Sequence, residues 1–443
     1  MANNQKKTKQ KNFIYHIHPS TVSEQTLKFT HTWGLGGSAL VLVFMQIITG
    51  ILLLFVYSSS MVRAYDSILI LQNDVLFGRL IRNIHHWGAN FIIIVLFLHM
   101  LRVFFTGAYH DNRKVNWWIG LGLLFCVLIS NFTGYLLPLD QLSYWAITIC
   151  TTMFEYLPYI GISIQKLIRG GAEIGQATLS NFFAIHIALV PMILAILMLF
   201  HFWRVRKAGG VIIPVSLSKD IRDESKKVPS VPHLVIRELA VTLVIIAGLF
   251  VFATFFDAPL TGRANPGMSP NPTKAPWYFS GIQELLQHFH PFFAVFVIPV
   301  LLVLWLIGLP FLKLNNGYDG TWFISAKGRR MGLVSAGVAM IIIPVMIIFD
   351  EYFLNFATGI SEISSMITNG FIPVAVVLGF LFGFYGWLKI RYGASKDEGI
   401  QSLCIFLMVS FIILTITGIW FRGSGMALCW PWNITISEIA PIP

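Results

Sequence analysis

Four histidines lie deep inside apolar stretches of this chain, in two pairs. His85 and His99 are 14 residues apart in one stretch, and His186 and His201 are 15 apart in another. On a helix of 3.6 residues per turn, 14 steps leave the second ring about 40° off the first, and 15 steps about 60° off on the other side. Each pair therefore shares one broad face, its members about 21–22 Å apart along the axis. Two such helices set face to face make two bis-imidazole sites, one near each side of a bilayer. Imidazoles on opposite sides of a haem iron fill both axial positions, which suits electron transfer and shuts out oxygen chemistry. A lone histidine in a membrane helix is as often a packing residue as a ligand, but two matched pairs are not explained that way. His86 lies about 140° off the face of His99, so His85 is the better ligand.

Glycines repeat the period. Gly36 and Gly50 are 14 apart in one apolar stretch, and Gly120 and Gly134 are 14 apart in another. A flat macrocycle between helices needs backbone close by, which glycine allows. The simpler alternative, helix–helix packing through small residues, does not account for both pairs sharing the histidine period. Arg82 stands three residues before His85 and Arg102 three after His99. Each lies near one membrane face, where it could meet an anionic haem propionate or simply snorkel to the headgroups.

The elements that must carry these residues are membrane helices. Of 443 residues, 56% are hydrophobic and only 12% charged, about half the charge fraction of a soluble domain. This excludes a soluble enzyme, a disordered chain and a disulfide scaffold. Nine stretches free of Asp, Glu, Lys and Arg run over 33–57, 83–101, 115–139, 174–203, 239–256, 285–312, 331–349, 363–388 and 399–421. Each can span a bilayer, which takes about 20 residues. With the N-terminus in the cytoplasm, the inside segments hold 23 of the 31 Lys and Arg, as the positive-inside rule requires. The net charge of +11 thus reflects topology, and nucleic acid is not an expected partner. An odd number of spans places the C-terminus outside. No secretory signal is expected, since the first apolar run begins only near Trp33 and is too long for one. Cys126, Cys150, Cys404 and Cys429 form no metal-binding or haem-attachment spacing.

The expected organisation is a cytoplasmic segment 1–32, a haem-binding four-helix domain 33–208 and a charged cytoplasmic linker 209–236. A C-terminal half of three helices follows over 237–350, and two further helices with an outside tail over 351–443. The outside segment 140–173 is expected to hold short surface helices. The outside loop 257–284 is rich in Pro, Gly and Asn, and long loops are often functional.

These features resemble the cytochrome b family of quinol–cytochrome c oxidoreductases, in the bc and chloroplast-type bf complexes. The resemblance runs through most of residues 30–312. It rests on G-L-G-G at 34–37, Q-I-I-T-G at 46–50, R-N-I-H-H-W at 82–87, H-M-L-R at 99–102, T-G-Y-L-L-P at 133–138, L-P-Y-I-G at 157–161, R-G-G-A-E-I-G-Q-A-T-L at 169–179 and W-Y-F at 277–279. The 15-residue histidine spacing resembles the chloroplast-type and related bacterial proteins. The resemblance implies an all-α integral membrane subunit of a bacterial inner membrane, with two stacked b-type haems. His85 and His186 would hold a low-potential haem near the outside, and His99 and His201 a high-potential haem near the cytoplasm. Tyr144, Trp145, Ala146, Pro158, Tyr159, Trp277 and Tyr278 would line an outer quinol-oxidation pocket. Arg206 and Lys207 would mark an inner quinone site. The substrate would be menaquinol or ubiquinol. The partners would be a Rieske iron–sulfur protein and a c-type cytochrome, in a homodimeric complex.

The chain departs from the family pattern in three places. Where the family's outer-site motif reads P-E-W-Y, this chain reads A-P-W-Y, with Pro276 in place of the glutamate. Quinol oxidation still needs a proton acceptor; Glu284 is the first candidate and Glu155 the second, although Glu284 could equally be a helix-end charge. Gly34 stands where chloroplast-type proteins carry a haem-linking cysteine, so no third, covalently attached haem is expected. The last two helices and F-R-G-S-G-M-A-L-C-W-P-W at 421–432 have no role in this reading beyond packing or partner docking. The missing glutamate motivates an alternative, a Rieske-independent electron-transfer subunit of another redox complex. A non-redox transporter fits nine helices but leaves the paired histidines unexplained. His16, His18, His31, His110 and His233 are expected at the surface or at an interface, and His288 and His290 as structural caps flanking the outer pocket, with a proton relay as the alternative.

Overall fold

The computed structural model describes residues 20–213, 226–312, 320–354 and 364–433. His16, His18, the first part of the N-terminal segment, the middle of the 209–236 linker and the end of the tail lie outside the described residues. Nine helices among the described residues are long and apolar enough to span a membrane: α1 Leu35–Leu54, α3 Gly78–Phe105, α4 Asp111–Leu136, α7 Gln176–Lys207, α8 Ser230–Phe255, α10 Phe293–Phe311, α11 Ala326–Leu354, α12 Ile367–Tyr392 and α13 Lys396–Trp420. Each falls on one of the nine apolar stretches. Among the described residues, four shorter helices of 9–12 residues lie between the spans: α2 Ala64–Asn73, α5 Gln141–Thr152, α6 Gly161–Arg169 and α9 Trp277–His288. Two of these, α5 and α6, occupy the stretch where short surface helices are expected.

α1 packs on α3 and α4 on α7, and α3 against α4 closes the four-helix block. Its interior is apolar, built from Leu42, Ile84, Ile92, Ile93, Val127, Val190 and Leu194. α8 lies on the outside of α1 and α3, with Leu249 and Ala253 sealing the contact. The remaining helices form a second group in which α13 is central, packing on both α11 and α9. Outward side chains such as Leu199, Val244, Val251, Leu333 and Ile341 are exposed. Such a surface suits lipid, where the helix satisfies its own backbone groups.

Local chemistry sets the helix ends. Asp140 caps α5 by accepting from the Ser143 backbone N–H at 3.0 Å, and the Ser143 hydroxyl accepts in return from Asp140 N–H at 3.1 Å, a reciprocal box that satisfies two orphan donors. Ser395 and Glu398 do the same for α13. The apolar run 285–312 is not one helix. Pro291 restrains the residue before it to extended backbone, α9 ends at His288, and Phe289 is extended (φ −128°, ψ 150°). α9 is thereby a separate helix on the outer side, ahead of the span α10.

Wide π turns occur at Ile185–Leu189, Phe293–Val297 and Ile367–Phe371. In each case a proline, Pro191, Pro299 or Pro373, follows two residues later. A proline ring collides with the carbonyl four residues back in a regular helix, and one extra residue in the turn relieves the collision. The first of these turns contains His186. A π turn adds a residue without advancing the helix phase by the usual step. The 15 residues from His186 to His201 therefore run in phase like 14, which matches the spacing of His85 and His99.

A two-stranded antiparallel ribbon, β1 (Thr21–Ser23) with β2 (Lys227–Pro229), pairs Val22 with Val228. It ties the segment before α1 to the end of the linker entering α8.

Candidate functional site

The two histidine pairs face each other across the four-helix block. The ring centroids of His85 and His186 are 6.2 Å apart, and those of His99 and His201 are 6.4 Å apart. A metal–imidazole bond is about 2.0–2.1 Å, so two rings on opposite sides of one iron have centroids roughly 6 Å apart. Both separations fit an iron held between the rings.

Hydrogen bonds fix the proton position on the outer pair. His186 Nδ1 lies 2.9 Å from the Ser130 carbonyl, which can only accept, so Nδ1 carries the proton. His85 Nδ1 lies 2.9 Å from the Thr49 hydroxyl. That hydroxyl donates to the Met45 carbonyl at 2.6 Å and so accepts from the ring. In both rings Nε2 keeps its lone pair for a metal, with the second nitrogen anchored as metal-binding imidazoles usually are. The inner pair differs: His201 Nδ1 is buried without a hydrogen-bond partner.

Each of the four glycines lies against one of the four rings. A Cβ on Gly50 would sit 3.3 Å from His85 Cε1, on Gly134 2.5 Å from His186 Cε1, on Gly36 3.4 Å from His99 Cε1 and on Gly120 3.8 Å from His201 Cε1. Two layers result, one of Gly50, His85, Gly134 and His186, the other of Gly36, His99, Gly120 and His201. At Gly134, and less tightly at Gly50 and Gly36, glycine makes room for the imidazole itself, a reason the spacing alone does not give. Thr49 and Thr133 precede the two outer-layer glycines, and Thr133 Oγ1 also approaches His186 Nδ1 at 3.4 Å. Sequence reasoning missed both threonines and Ser130, yet the Thr-Gly pair recurs in Q-I-I-T-G and T-G-Y-L-L-P. Where Gly34 stands, φ is +64° and a Cβ would sit 3.0 Å from Val241, so the backbone itself selects glycine.

Arg82 and Arg102 are both buried. Arg82 donates to the carbonyls of Ala258 and Pro259, each at 2.7 Å, and so fastens the outer loop to α3. Asn83 joins it through the Ala253 carbonyl, Asp257 and the Ala258 N–H. Arg102 donates to the His31 carbonyl at 3.1 Å and meets the His31 ring at 3.3 Å. Its hydrogen bonds go to neutral groups, leaving a buried cation on the inner side that suits an anionic group. His31 is therefore not a surface residue. Burial holds it below the usual imidazole range, Arg102 adds to this, and its bond to the Ile212 carbonyl at 2.7 Å pulls the other way.

On the outer side, α9 presents Tyr278 to the block. Burial raises the Tyr278 phenol, with Tyr135 on α4 and Cys150 on α5 as its titratable neighbours. Phe279 stacks edge-on against Phe132 at 6.0 Å. Trp277 Nε1 donates to Asn90 Oδ1 on α3 at 2.5 Å. Tyr144 is buried on α5, and Trp145 Nε1 donates to the Asn265 carbonyl of the outer loop at 3.1 Å. Arg169, another residue the sequence reading missed, locks α6 onto α5 through Thr148, Thr151 and Thr152. Tyr159 points outward, with 105% relative exposure, and is not gathered with the others.

Glu284 is placed differently from expectation. Six residues along a helix turn it about 120° away from Tyr278. It is fully buried (0% exposed) and bonds to Arg422, the shortest contact being 2.6 Å. Burial by itself would raise its carboxyl, but hydrogen bonds from His288 and Arg422 and the charge of Arg422 hold it below the usual carboxylate range. A carboxylate so engaged is a poor proton acceptor for the pocket, so the first candidate is corrected. Glu155 is exposed on the turn after α5, where its Oε1 accepts from Gln165 Nε2 at 2.5 Å. Arg206 and Lys207 are exposed too. Lys207 Nζ lies over the Trp203 ring at 5.1 Å, so these two are not gathered with His99 and His201; Arg102 and His31 occupy the inner side instead.

Comparison with known proteins follows the same lines. A family model described as cytochrome b/b6/petB matches residues 21–209. Cytochrome b6 of Prochlorothrix hollandica is 40% identical over 175 residues, which are 40% of this chain and 79% of that protein. Cytochrome b6 of Acaryochloris marina is 39% identical over 175 residues, 40% of this chain and 81% of that protein. A solved structure described as hyperthermophilic respiratory Complex III aligns with 91% of this chain and 95% of its own, at TM-score 0.64 and 25% identity.

Proposed function

The chain belongs to the cytochrome b/b6 family, as the cytochrome b of a bc- or b6f-type redox complex, and on that premise we propose that it is a dihaem subunit oxidising quinol outside and reducing quinone inside. The observation that carries this reading is the pair of histidine couples at 6.2 and 6.4 Å, each ring faced by a glycine.

Haem held between two imidazoles would supply one-electron transfer without oxygen chemistry. The rest is what the residues do. His85 and His186 would hold the outer group and His99 and His201 the inner one, which fixes the two groups in place on opposite sides of the bilayer. Arg82 and Arg102 place a cation near each group, and Arg102 is the better placed to meet a propionate, since Arg82 is spent on two carbonyls. Tyr144, Trp145, Trp277 and Tyr278, on α5 and α9, line the outer quinol pocket. The proton acceptor is Glu155, the carboxylate left open once Glu284 is tied to Arg422. The inner quinone site is formed beside Arg102 and His31. Arg206 and Lys207 lie outside it, at the headgroup level, with Lys207 stacked on Trp203. One quinol electron passes to a Rieske-type partner and on to a c-type cytochrome, and the other passes inward. The setting is a bacterial inner membrane, N-terminus in the cytoplasm and C-terminus outside, in a dimeric complex using menaquinol or ubiquinol.

Haem stoichiometry on the purified complex tests this, by pyridine haemochrome spectra after acid–acetone extraction. Two extractable b haems are expected from this chain, and one in His85→Ala. No haem in this chain would refute the reading. A third, non-extractable haem would refute the inference from Gly34.

A further inference from the structure

α9 has two working faces. One carries Tyr278 toward α4 and α5. The other, made of Ser280, Gly281, Glu284 and His288, packs on α13 and the outer end of α11. Contact with α13 is close: a Cβ on Gly281 would sit 2.6 Å from the Phe411 ring and 2.7 Å from Thr415 Oγ1, and one on Gly418 2.9 Å from the Ser280 carbonyl. Just beyond α13, the 421–432 motif turns one arginine back into this contact. Arg422 is fully buried (0% exposed). Its Nε and Nη2 grip both oxygens of Glu284 at 2.6–3.2 Å. Its Nη1 reaches Glu351 at 2.8 Å and the Met426 carbonyl at 2.9 Å. His288 extends the network, with Nε2 3.3 Å from Glu284 and Nδ1 2.6 Å from Asp350.

We propose that Arg422 is a positioning residue of the outer quinol pocket, clamping α9 to α11 and α13 so that Trp277 and Tyr278 keep their places. The proposal rests on the outer-pocket reading above. The last helix thereby acquires a role, because α13 delivers the one arginine that joins the pocket helix to the end of α11. Removing that arginine leaves Glu284 and Glu351 buried or half-buried without it, and an unpaired buried charge disrupts its surroundings strongly.

His288 makes the clamp sensitive to pH. Both its ring nitrogens face carboxylates, which when ionised can only accept, so the doubly protonated ring is the one that fits. The charged groups around it are Glu284 on its own helix, Asp350 on α11 and, through Glu284, Arg422 with Glu351. Burial alone would lower the imidazole, but the bonds to Asp350 and Glu284 and their charges raise it above the ordinary histidine range. The hold is therefore complete below the ordinary histidine value and weakens as pH rises through the raised one.

The test uses the whole complex in membranes, with R422Q, R422K, E284Q and H288Q. R422Q is expected to raise the quinol KM about tenfold with a smaller loss of kcat, as for a displaced binding wall, while both haem spectra and potentials stay unchanged. R422K, which lacks the two-pronged grip, recovers part of this. H288Q removes the alkaline rise in KM that the wild type shows. If R422Q fails to assemble, E284Q decides, since it removes the charge and one of the two accepting oxygens on the pocket side and leaves Arg422 on Glu351. An unchanged KM and pH profile in E284Q, or a KM unchanged in an assembled R422Q, overturns the proposal. Amide exchange of residues 277–288 separates the two readings. If the wild type oxidises no quinol, the functional reading fails, while faster exchange in R422Q still supports the clamp; exchange unchanged in R422Q overturns the clamp.

Discussion

Gly134 and Gly120 are on one helix and 14 residues apart, but the structure gives them very different room. A methyl group at Gly134 would lie 2.5 Å from His186 Cε1, 3.0 Å from Nδ1 and 3.2 Å from Nε2. Carbon–carbon contacts are most favourable at about 3.5–4.0 Å, so the overlap is roughly 1 Å. The ring is not free to swing aside, because Nδ1 is held by the Ser130 carbonyl at 2.9 Å. Overpacking of this kind costs about 1–3 kcal/mol, which is roughly five- to 140-fold in an affinity. At Gly120 the nearest ring atom is 3.8 Å away, an ordinary contact. There Gly→Ala gains helix propensity, about 1 kcal/mol, at no steric cost. Gly134→Ala is therefore expected to weaken retention of the outer haem, so that purified complex falls from two b haems toward one. Gly120→Ala is expected to keep both and to melt no lower than wild type. Gly50→Ala and Gly36→Ala, at 3.3 and 3.4 Å, should fall between. The assay is haem content per chain together with redox potentiometry, which tells the two haems apart. Equal effects at Gly134 and Gly120, or loss of the inner haem from Gly134→Ala, would refute the reasoning and return these glycines to simple helix packing.

Two further outcomes follow from the hydrogen bonds. Thr49→Val removes the acceptor for His85 Nδ1–H while keeping the volume, so the ring becomes a weaker donor to a metal; potentiometry should show the outer haem shifted to higher potential with the inner one unmoved. Arg82→Gln loses the two carbonyl bonds that tie residues 258 and 259 to α3. Protease nicking of the 257–276 loop should accelerate while nicking elsewhere is unchanged, and equal nicking would contradict that role.

The spans were legible because lipid imposes a single pattern, a long apolar run without charge, and each of the nine runs holds one spanning helix. The two facing histidine pairs were legible for the related reason that little else places imidazoles at that spacing in an apolar helix. Less legible was anything set by which way a helix turns. Glu284 lies six residues past Tyr278 and looks close to the pocket in one dimension, yet about 120° of helix turn carries it toward α13, where Arg422, 138 residues away, meets it. The arginine and the glutamate carry no mutual signal in sequence. His31 was only partly legible for a similar reason: it precedes α1, at a place where a surface or interfacial position is the ordinary expectation, and its burial depends on Arg102, 71 residues on. The break at Phe289 was recoverable from Pro291, and an apolar run of 28 residues hid it.

The histidine spacing itself leads to the sharpest test of the fold. His186 and His201 are 15 apart, their counterparts 14 apart, and the π turn Ile185–Leu189 absorbs the difference. Deleting Ala188 removes the extra residue where it is already out of step. The turn closes to a regular one, Pro191 meets its usual collision at a cost of about 3 kcal/mol, but every residue from 189 to 207 keeps its face. Deleting Met198 also shortens the spacing to 14. If the π turn stays, His186 and His201 fall about 100° out of phase. If it closes instead, residues 189–197 all shift by one position, and Val190 and Leu194, which are buried against the block, leave their places. Deletion of Ala188 is therefore expected to retain both haems in a less stable protein, and deletion of Met198 to lose one or both. Haem content and melting temperature measure the two effects separately. Two haems in both deletions, or loss of haem from the Ala188 deletion alone, would show that phase along α7 does not decide where the second histidine couple forms.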